Sequence, residues 1–496
     1  MTSPAPAARR NFALAALTLA AACASCVVGP NFKRPDPPPV DRYTAQPLPA
    51  QTTATNTPGG TAQRFAPGEP VVANWWTLFG STVLDSLVDE ALRASPNVQS
   101  AQAALRQAHE NVLAAWGVFA PSIDAGANGT RQKISGAQFG PGGKPAIYNL
   151  YNASVNVSYG LDFSGGARRE LEALRAKSTY QRFVLEATYL TLCANVVTTA
   201  VAEASLRAQI SATEELIGSS AKRLEVIKKQ QQLGGASNAD VLTQQAQLAQ
   251  DRVALPALRN QLEQQRALLA TLLGRLPSNP PEVALQLADL RLPAALPVSL
   301  PSQLVTQRPD VRQQEELLHQ ASAQIGVATS NMLPQITLSG GYGGSSSHSS
   351  TLFQDAGRAW SLSAGLTQPL FHGGQLMHKR RAAIAAYDEA GAQYRETVLV
   401  AFRNVADSLR AVSTDADTLN AVSEAAQAAA GSLAITDRQY SLGAVSYLTL
   451  LTAQRAEHQT RISLIQARAA RFADTAALFQ ALGGGWWNRN NKEGLR

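Results

Sequence analysis

Apolar positions along the chain follow two periods, and the same succession of periods occurs twice. Val98, Leu105, Val112 and Phe119 stand seven residues apart, and so do Val311, Leu318, Ile325 and Met332. A seven-residue interval keeps to one face of a helix, so each run predicts a helix. Pro121 and Pro334 then stop it. The period next drops to two. Val155, Val157, Tyr159 and Leu161 alternate with Asn156, Ser158, Gly160 and Asp162, and in the second copy Ile336, Leu338, Leu362 and Leu366 alternate with small polar residues. Strands are expected at about 122–134 and 151–163, then at about 335–344 and 359–371, each with an apolar and a wet side. The stretches between them, about 135–150 and 344–358, are rich in Gly, Ser and Pro and suit exposed hairpin ends. Proline-free segments follow at 166–232 and 375–441, each about 100 Å long as continuous helix. A second long helix returns in each copy. Leu248, Leu255, Leu262 and Leu269 form one seam; Ile465, Phe472 and Phe479, with Ile462, Ala469 and Ala476, form the other. An ordinary bundle core has such seams too, but their length favours an extended coiled coil. Pro256 is expected to bend the first return helix.

Residue identities mark the same duplication. Pro96-Asn97-Val98 matches Pro309-Asp310-Val311, Phe163-Ser164-Gly165-Gly166 matches Phe371-His372-Gly373-Gly374, Leu233-Gly234 matches Leu442-Gly443, and Leu273-Gly274 matches Leu482-Gly483. The predicted layout is a signal peptide at 1–25, a Pro-rich linker at 26–73 that wraps on the body, one repeat at 74–290, a second at 291–486, and a polar tail at 487–496.

Composition narrows the function. Of 496 residues, 45% are hydrophobic and 16% charged, which excludes a disordered chain or a polytopic helical membrane protein. The net charge of +7 is scattered without a basic-aromatic cluster, so no nucleic-acid partner is expected. Arg9 and Arg10 precede an apolar run from Phe12 to Ala22 and then Cys23 and Cys26, which is a signal peptide ending at a lipidation site. Ala20-Ala21-Ala22 before Cys23 suits the generic lipoprotein signal. Cys193 lies in a helical stretch and reads as a small buried apolar residue. Beyond the leader no helix long and apolar enough to cross a membrane is expected. The chain holds no HExxH, GxSxG or Cys/His cluster, and Gly142-Gly143-Lys144 is followed by Pro145 where a phosphate loop needs Ser or Thr. No enzyme, metal or dissociable cofactor is expected. Trp75 and Trp76 read as packing residues.

Four strands cannot close a membrane barrel, which needs about eight, and open edges are not tolerated in lipid. Several chains must therefore share one barrel, continued by their long helices as a tube. The residues Cys26-Val27-Val28-Gly29-Pro30-Asn31-Phe32, Trp75-Trp76 with Leu78-Phe79-Gly80, Arg308-Pro309-Asp310-Val311, Tyr447-Leu448-Thr449-Leu450-Leu451, and Ala481-Leu482-Gly483-Gly484-Gly485-Trp486 carry a resemblance. The chain resembles the TolC-like outer membrane factor family, in its lipoprotein multidrug-efflux (NodT) branch.

That resemblance implies a mainly α fold with a β-barrel part: a homotrimer whose twelve strands form an outer-membrane barrel continued by a coiled-coil α-barrel. It implies a periplasmic adaptor and an inner-membrane transporter as partners, and small molecules such as drugs as cargo. Family spacing favours Cys26 for the covalent lipid (diacylglycerol and N-acyl, a palmitate-type modification), whereas the generic signal favours Cys23; both stay open. The resemblance also places a constriction at the periplasmic entrance, near Tyr440, Leu448, Thr449 and Thr452. Relatives often carry Asp where Thr449 and Thr452 stand, and the first copy keeps Asp240. Two readings fit Asp240, a helix-start residue favoured by the dipole and a member of a charged entrance. Two rivals to the efflux reading are a duct for secreted proteins and a lipid-anchored periplasmic coiled coil without a pore.

Overall fold

Prolines, glycines and capping serines cut the chain into eight helices and six strands among the residues that the computed structural model describes, 27–142, 144–282 and 285–489. In chain order these are β1 (Arg64–Pro67), α1 (Thr82–Ala94), α2 (Pro96–Trp116), β2 (Ser122–Ile134), β3 (Ala146–Leu161), α3 (Gly166–Gln232) and α4 (Asn238–Leu272). Then come β4 (Ala295–Val298), α5 (Pro301–Gln307), α6 (Pro309–Ser330), β5 (Gln335–Ser346), β6 (Arg358–Thr367), α7 (Gln375–Ser441) and α8 (Tyr447–Ala481). The long helices α3 and α7 have 67 residues each, and their return helices α4 and α8 have 35 each. The chain divides into two compact units. A sheet unit holds the described part of Met1–Pro35 with Ala104–Gln181 and Gln314–Tyr394, and a helical unit holds the rest.

The sheet unit contains a four-stranded antiparallel sheet in the order β2-β3-β5-β6. Its register pairs Ile123 with Val157, Tyr159 with Leu338, and Tyr342 with Trp360. With alternate residues on opposite faces, these fall on one apolar face with Val155, Leu362 and Leu366. The other face carries Asp124, Asn128, Asn156, Ser339, Ser363 and Thr367, and it is small and polar throughout its middle. The outer edges of β2 and β6 pair with nothing among the described residues.

Strand ends differ from the sequence expectation where local chemistry intervenes. β3 starts at Ala146 and stops at Leu161, because Phe163 donates its backbone N–H to Leu161 O (2.8 Å) and Gly165 takes φ +79° in the following turn. β6 ends at Thr367, two residues before Pro369, which has no N–H to give a ladder.

In the helical unit, aromatic stacking forms the core beside the seams. Trp75 lies fully buried against Phe479 with ring centres 5.4 Å apart, and Phe79 meets Phe472 at 6.2 Å. Trp75 and Trp76 therefore pack. Leu248 and Leu269 are buried along α4 and Ile465, Phe472 and Phe479 along α8, as seam positions should be. Pro256 lies inside α4 and does not end it.

The segment 26–73, expected to be a linker wrapped on the body, contributes a strand: β1 pairs in parallel with β4, Phe65 opposite Leu296. One sequence expectation needs correction. One helix, α3, is long and apolar enough by length and composition to cross a membrane, with mean hydropathy 1.4 in one 18-residue window. Half of that window is buried. Leu192, Val196, Val197, Ala200, Val201 and Ala204 recur at three- and four-residue steps and are buried within the helical unit, so their apolarity serves the protein core. Cys193 is buried among them, and burial pushes its thiol up to about 12.

Candidate functional site

The residues singled out for an entrance lie on the two turns that join each long helix to its return. Both turns have one design. After α3, Gly234 takes φ +82° and its N–H bonds Gln231 O; after α7, Gly443 takes φ +73° and its N–H bonds Tyr440 O. A left-handed glycine ends a helix without the steric cost a Cβ would bring. Each return helix then starts on a serine. Ser237 Oγ accepts the N–H of Asp240 and Ser446 Oγ accepts the N–H of Thr449, 209 residues on in both cases.

The two turns differ in what stands at the third helical position. Asp240 completes a capping box: its Oδ2 accepts from the Ser237 N–H at 2.9 Å and from Ser237 Oγ at 2.7 Å. Those donors hold its carboxyl below the usual Asp range. Thr449 instead faces Ser446 hydroxyl to hydroxyl at 2.9 Å, and Thr452 Oγ1 donates to Leu448 O at 2.9 Å. The capping reading of Asp240 thus has direct geometry behind it. Beside the second turn Leu448 is 69% exposed and Leu442 is 79% exposed.

The ends of the two hairpins adjoin. Tyr447 packs against a cluster of Leu224, Ile227, Val241 and Leu248, while its ring meets that of Tyr440 at 5.7 Å. Burial raises the Tyr447 hydroxyl, with Arg223 opposing and Tyr440, Asp251 and Asp240 adding to it. Tyr440, Tyr447 and Asp240 are thereby drawn to one end of the helical unit.

Polar links that sequence reading missed tie the hairpins together. Arg223 on α3 reaches Asp437 on α7 at 2.9 Å, Arg455 on α8 donates to Gln247 on α4, and Arg461 on α8 reaches Glu215 on α3 at 2.7 Å. Charged residues beside apolar ones on the long helices, such as Arg223 next to Leu224, were the available signal. Further along the second hairpin lies a buried charged group. Arg471 donates to Gly59 O (3.0 Å), Gln63 Oε1 (2.9 Å) and Thr52 Oγ1 (3.3 Å), fastening the segment 52–63 onto α8. Asp415 and Asp474 stand near it. Burial, then the hydrogen bond and charge of Asp474, raise Asp415 to about 7, with Arg471 opposing. Asp415 Oδ2 is buried without a hydrogen-bond partner among the described residues.

None of these groups forms a metal cluster among the described residues. Cys23 and Cys26 lie outside the described residues. The geometry so far comprises, in one unit, a duplicated helical hairpin pair and, in the other, an antiparallel sheet with one apolar and one polar face. A family profile described as "Outer membrane efflux protein" matches residues 87–275 and again 300–484. The chain belongs to that family.

The efflux protein is 30% identical over 438 residues to the pyoverdine export outer membrane protein OpmQ of Pseudomonas aeruginosa, covering 86% of this chain and 89% of the relative. It is 27% identical over 493 residues to outer membrane protein OprJ of the same species, covering 96% of each. The solved CmeC channel of Campylobacter jejuni shares its fold at a TM-score of 0.81 and 21% identity, covering 94% of this chain and 96% of that one. Outer membrane protein VceC of Vibrio cholerae does so at 0.77 and 25%, covering 84% and 100%. The protein is an outer-membrane efflux component reaching into the periplasm, in a family of ducts.

Proposed function

We propose that three copies of the chain form one twelve-stranded barrel and a continuous helical tunnel, the passive exit duct of a tripartite pump for small molecules. The observation that carries this reading is the sheet itself. One face is apolar, the other small and polar, and both edges lack partners among the described residues. Lipid accepts the first face, water the second, and unpaired edges in lipid must close on another copy. The pyoverdine-export and toluene-efflux roles of relatives support small molecules as cargo. A periplasmic adaptor and an inner-membrane transporter complete the pump in this reading, and a covalent lipid on Cys26 or Cys23 anchors the segment 26–73. Mass analysis of the mature N-terminal peptide distinguishes the two cysteines. In this reading the two repeats span 74–290 and 291–486.

At the entrance, Leu448 narrows the passage and Thr449 and Thr452 leave it with fewer carboxylates than a ring of Asp would supply. Asp240 is already committed to its cap. A carboxylate ring attracts cations. In planar bilayers the wild-type protein should therefore form pores of modest cation preference, and Thr452→Asp should raise that preference several-fold. Unchanged selectivity in the variant would remove the entrance from this account, and a wild-type protein that never conducts would remove the duct.

A further inference from the structure

The two crossings from sheet to long helix, both within the sheet unit, handle charge in opposite ways. Before α3 stands Asp162-Phe163, and before α7 stands Leu370-Phe371 in the same place of the repeat. Asp162 accepts the backbone N–H groups of Ala167 (3.0 Å) and Arg168 (3.1 Å) and pairs with the Arg168 guanidinium at 3.1 Å. Arg169 is likewise neutralised by Glu172 at 2.7 Å and buried against the backbone oxygens of Val28 and Gly29. The first crossing is thus self-contained.

The second crossing is open. Leu370 is 91% exposed and Phe371 is 86% exposed. The first two turns of α7 then carry His378, Lys379, Arg380 and Arg381, all exposed, and no acidic residue occurs from the start of α7 until Asp388. Among the described residues neither Lys379, Arg380 nor Arg381 pairs with a carboxylate; Arg380 donates only to Thr329 Oγ1 at 3.3 Å. The cluster does not serve helix stability, because cations in the first turns oppose the helix dipole.

We propose that Leu370, Phe371 and the cations Lys379, Arg380 and Arg381 form a binding site for the head group of an anionic phospholipid. The lipid belongs to the leaflet at the helix-side end of the sheet. β6 ends at Thr367, and its residues Trp360, Leu362 and Leu366 are exposed on the apolar face, so Leu370 and Phe371 continue apolar surface just past the last paired residue. The cations follow within the first two turns of α7, and long basic side chains can reach lipid phosphates while their stems stay on apolar surface. A phosphodiester supplies the counter-charge that Asp162 and Glu172 give the first crossing. The inference rests on the reading of the sheet as a membrane barrel.

The test compares the full-length wild type with a Lys379→Gln/Arg380→Gln/Arg381→Gln variant in nanodiscs of zwitterionic lipid doped with phosphatidylglycerol. Co-purified lipid is counted by native mass spectrometry, and pore formation is recorded in parallel. Wild type should retain phosphatidylglycerol preferentially. Each cation removed should weaken retention about fivefold, and all three on the order of a hundredfold. A Lys379→Arg/Arg380→Lys/Arg381→Lys variant keeps the charge and should keep the preference, which covers the case in which the Gln variant fails to fold. Equal retention by wild type and a pore-forming Gln variant overturns the proposal. So does a Gln variant whose oligomer falls apart equally in purely zwitterionic lipid, since the cations would then contact a second copy. Failure of the underlying barrel reading looks different: no pore from the wild type in any lipid.

Discussion

The two long hairpins have equal helix lengths and the same glycine-and-serine turn, yet they use equivalent positions for different purposes. Where the first hairpin has Leu206, Leu262 and Gln265, the second has Asp415, Arg471 and Asp474, each 209 residues later. Leu262 is a coiled-coil seam residue; Arg471 is buried and holds the segment 52–63. The turns diverge in the same fashion, with a carboxylate cap at Asp240 and a hydroxyl pair at Thr449. The lesson is that the duplication conserves what sets length and reversal of direction. Charge is where the copies have specialised, the second one carrying the fastening of the N-terminal segment and the low-charge turn.

The largest effect should come from making the second hairpin like the first at its buried arginine. Arg471→Leu leaves Gln63 Oε1 and the carbonyl of Gly59 without this donor and Thr52 Oγ1 with the Gln63 N–H, and should cost about 3 kcal/mol or more. Thermal unfolding checks this, and an unchanged Tm would mean that the segment 52–63 is held by something else. Next in size is the coupling between the hairpins. Arg223→Ala and Arg455→Ala remove the links to Asp437 and Gln247. Exposed links contribute up to about 1 kcal/mol each, so each loss should raise the open fraction of reconstituted channels by up to about fivefold. Single-channel recordings read this, and unaltered open probability in the double variant would show that the hairpins are held by their apolar contacts alone.

The smallest expected effect is on pH dependence. Asp415 binds its proton more tightly in the folded protein than unfolded, its carboxyl being raised to about 7 by burial and by Asp474. Its contribution is therefore full below the unfolded carboxyl range near pH 4 and is lost as pH rises through about 7. Asp415→Asn should flatten the stability profile between pH 5 and 8 and raise stability at pH 8 by about 1 kcal/mol, after solvent screening of a half-buried group. Parallel profiles for variant and wild type would place the sensitivity elsewhere.

How much of this was legible in the chain depends on whether it had a period. The strand stretches around 155–161 and 336–342 and the long helices from 166 and 375 follow from alternation, heptads and missing prolines, and they stand where the pattern puts them. β6 falls short of 371 because Pro369 is a local veto on pairing that alternation ignores. The β1–β4 pair was not legible, since four residues carry too little period and their partners lie more than 200 residues away. For the proposed entrance, resemblance points to Tyr440, Leu448, Thr449 and Thr452. It gives neither the capping box that occupies Asp240 nor the Arg223–Asp437 link, because both depend on which side chains the helices bring together.

The central claim is that the two free sheet edges, β2 and β6, meet between copies. Cysteine at Asn128 on the polar face of β2 can be combined in turn with cysteine at Ser361, Ser363 or Gly365 on the same face of β6, and the protein oxidised in its native membrane. The account predicts that at least one combination gives a reducible ladder of linked chains that stops at three. A protein that stays monomeric at every combination while it still conducts would contradict it.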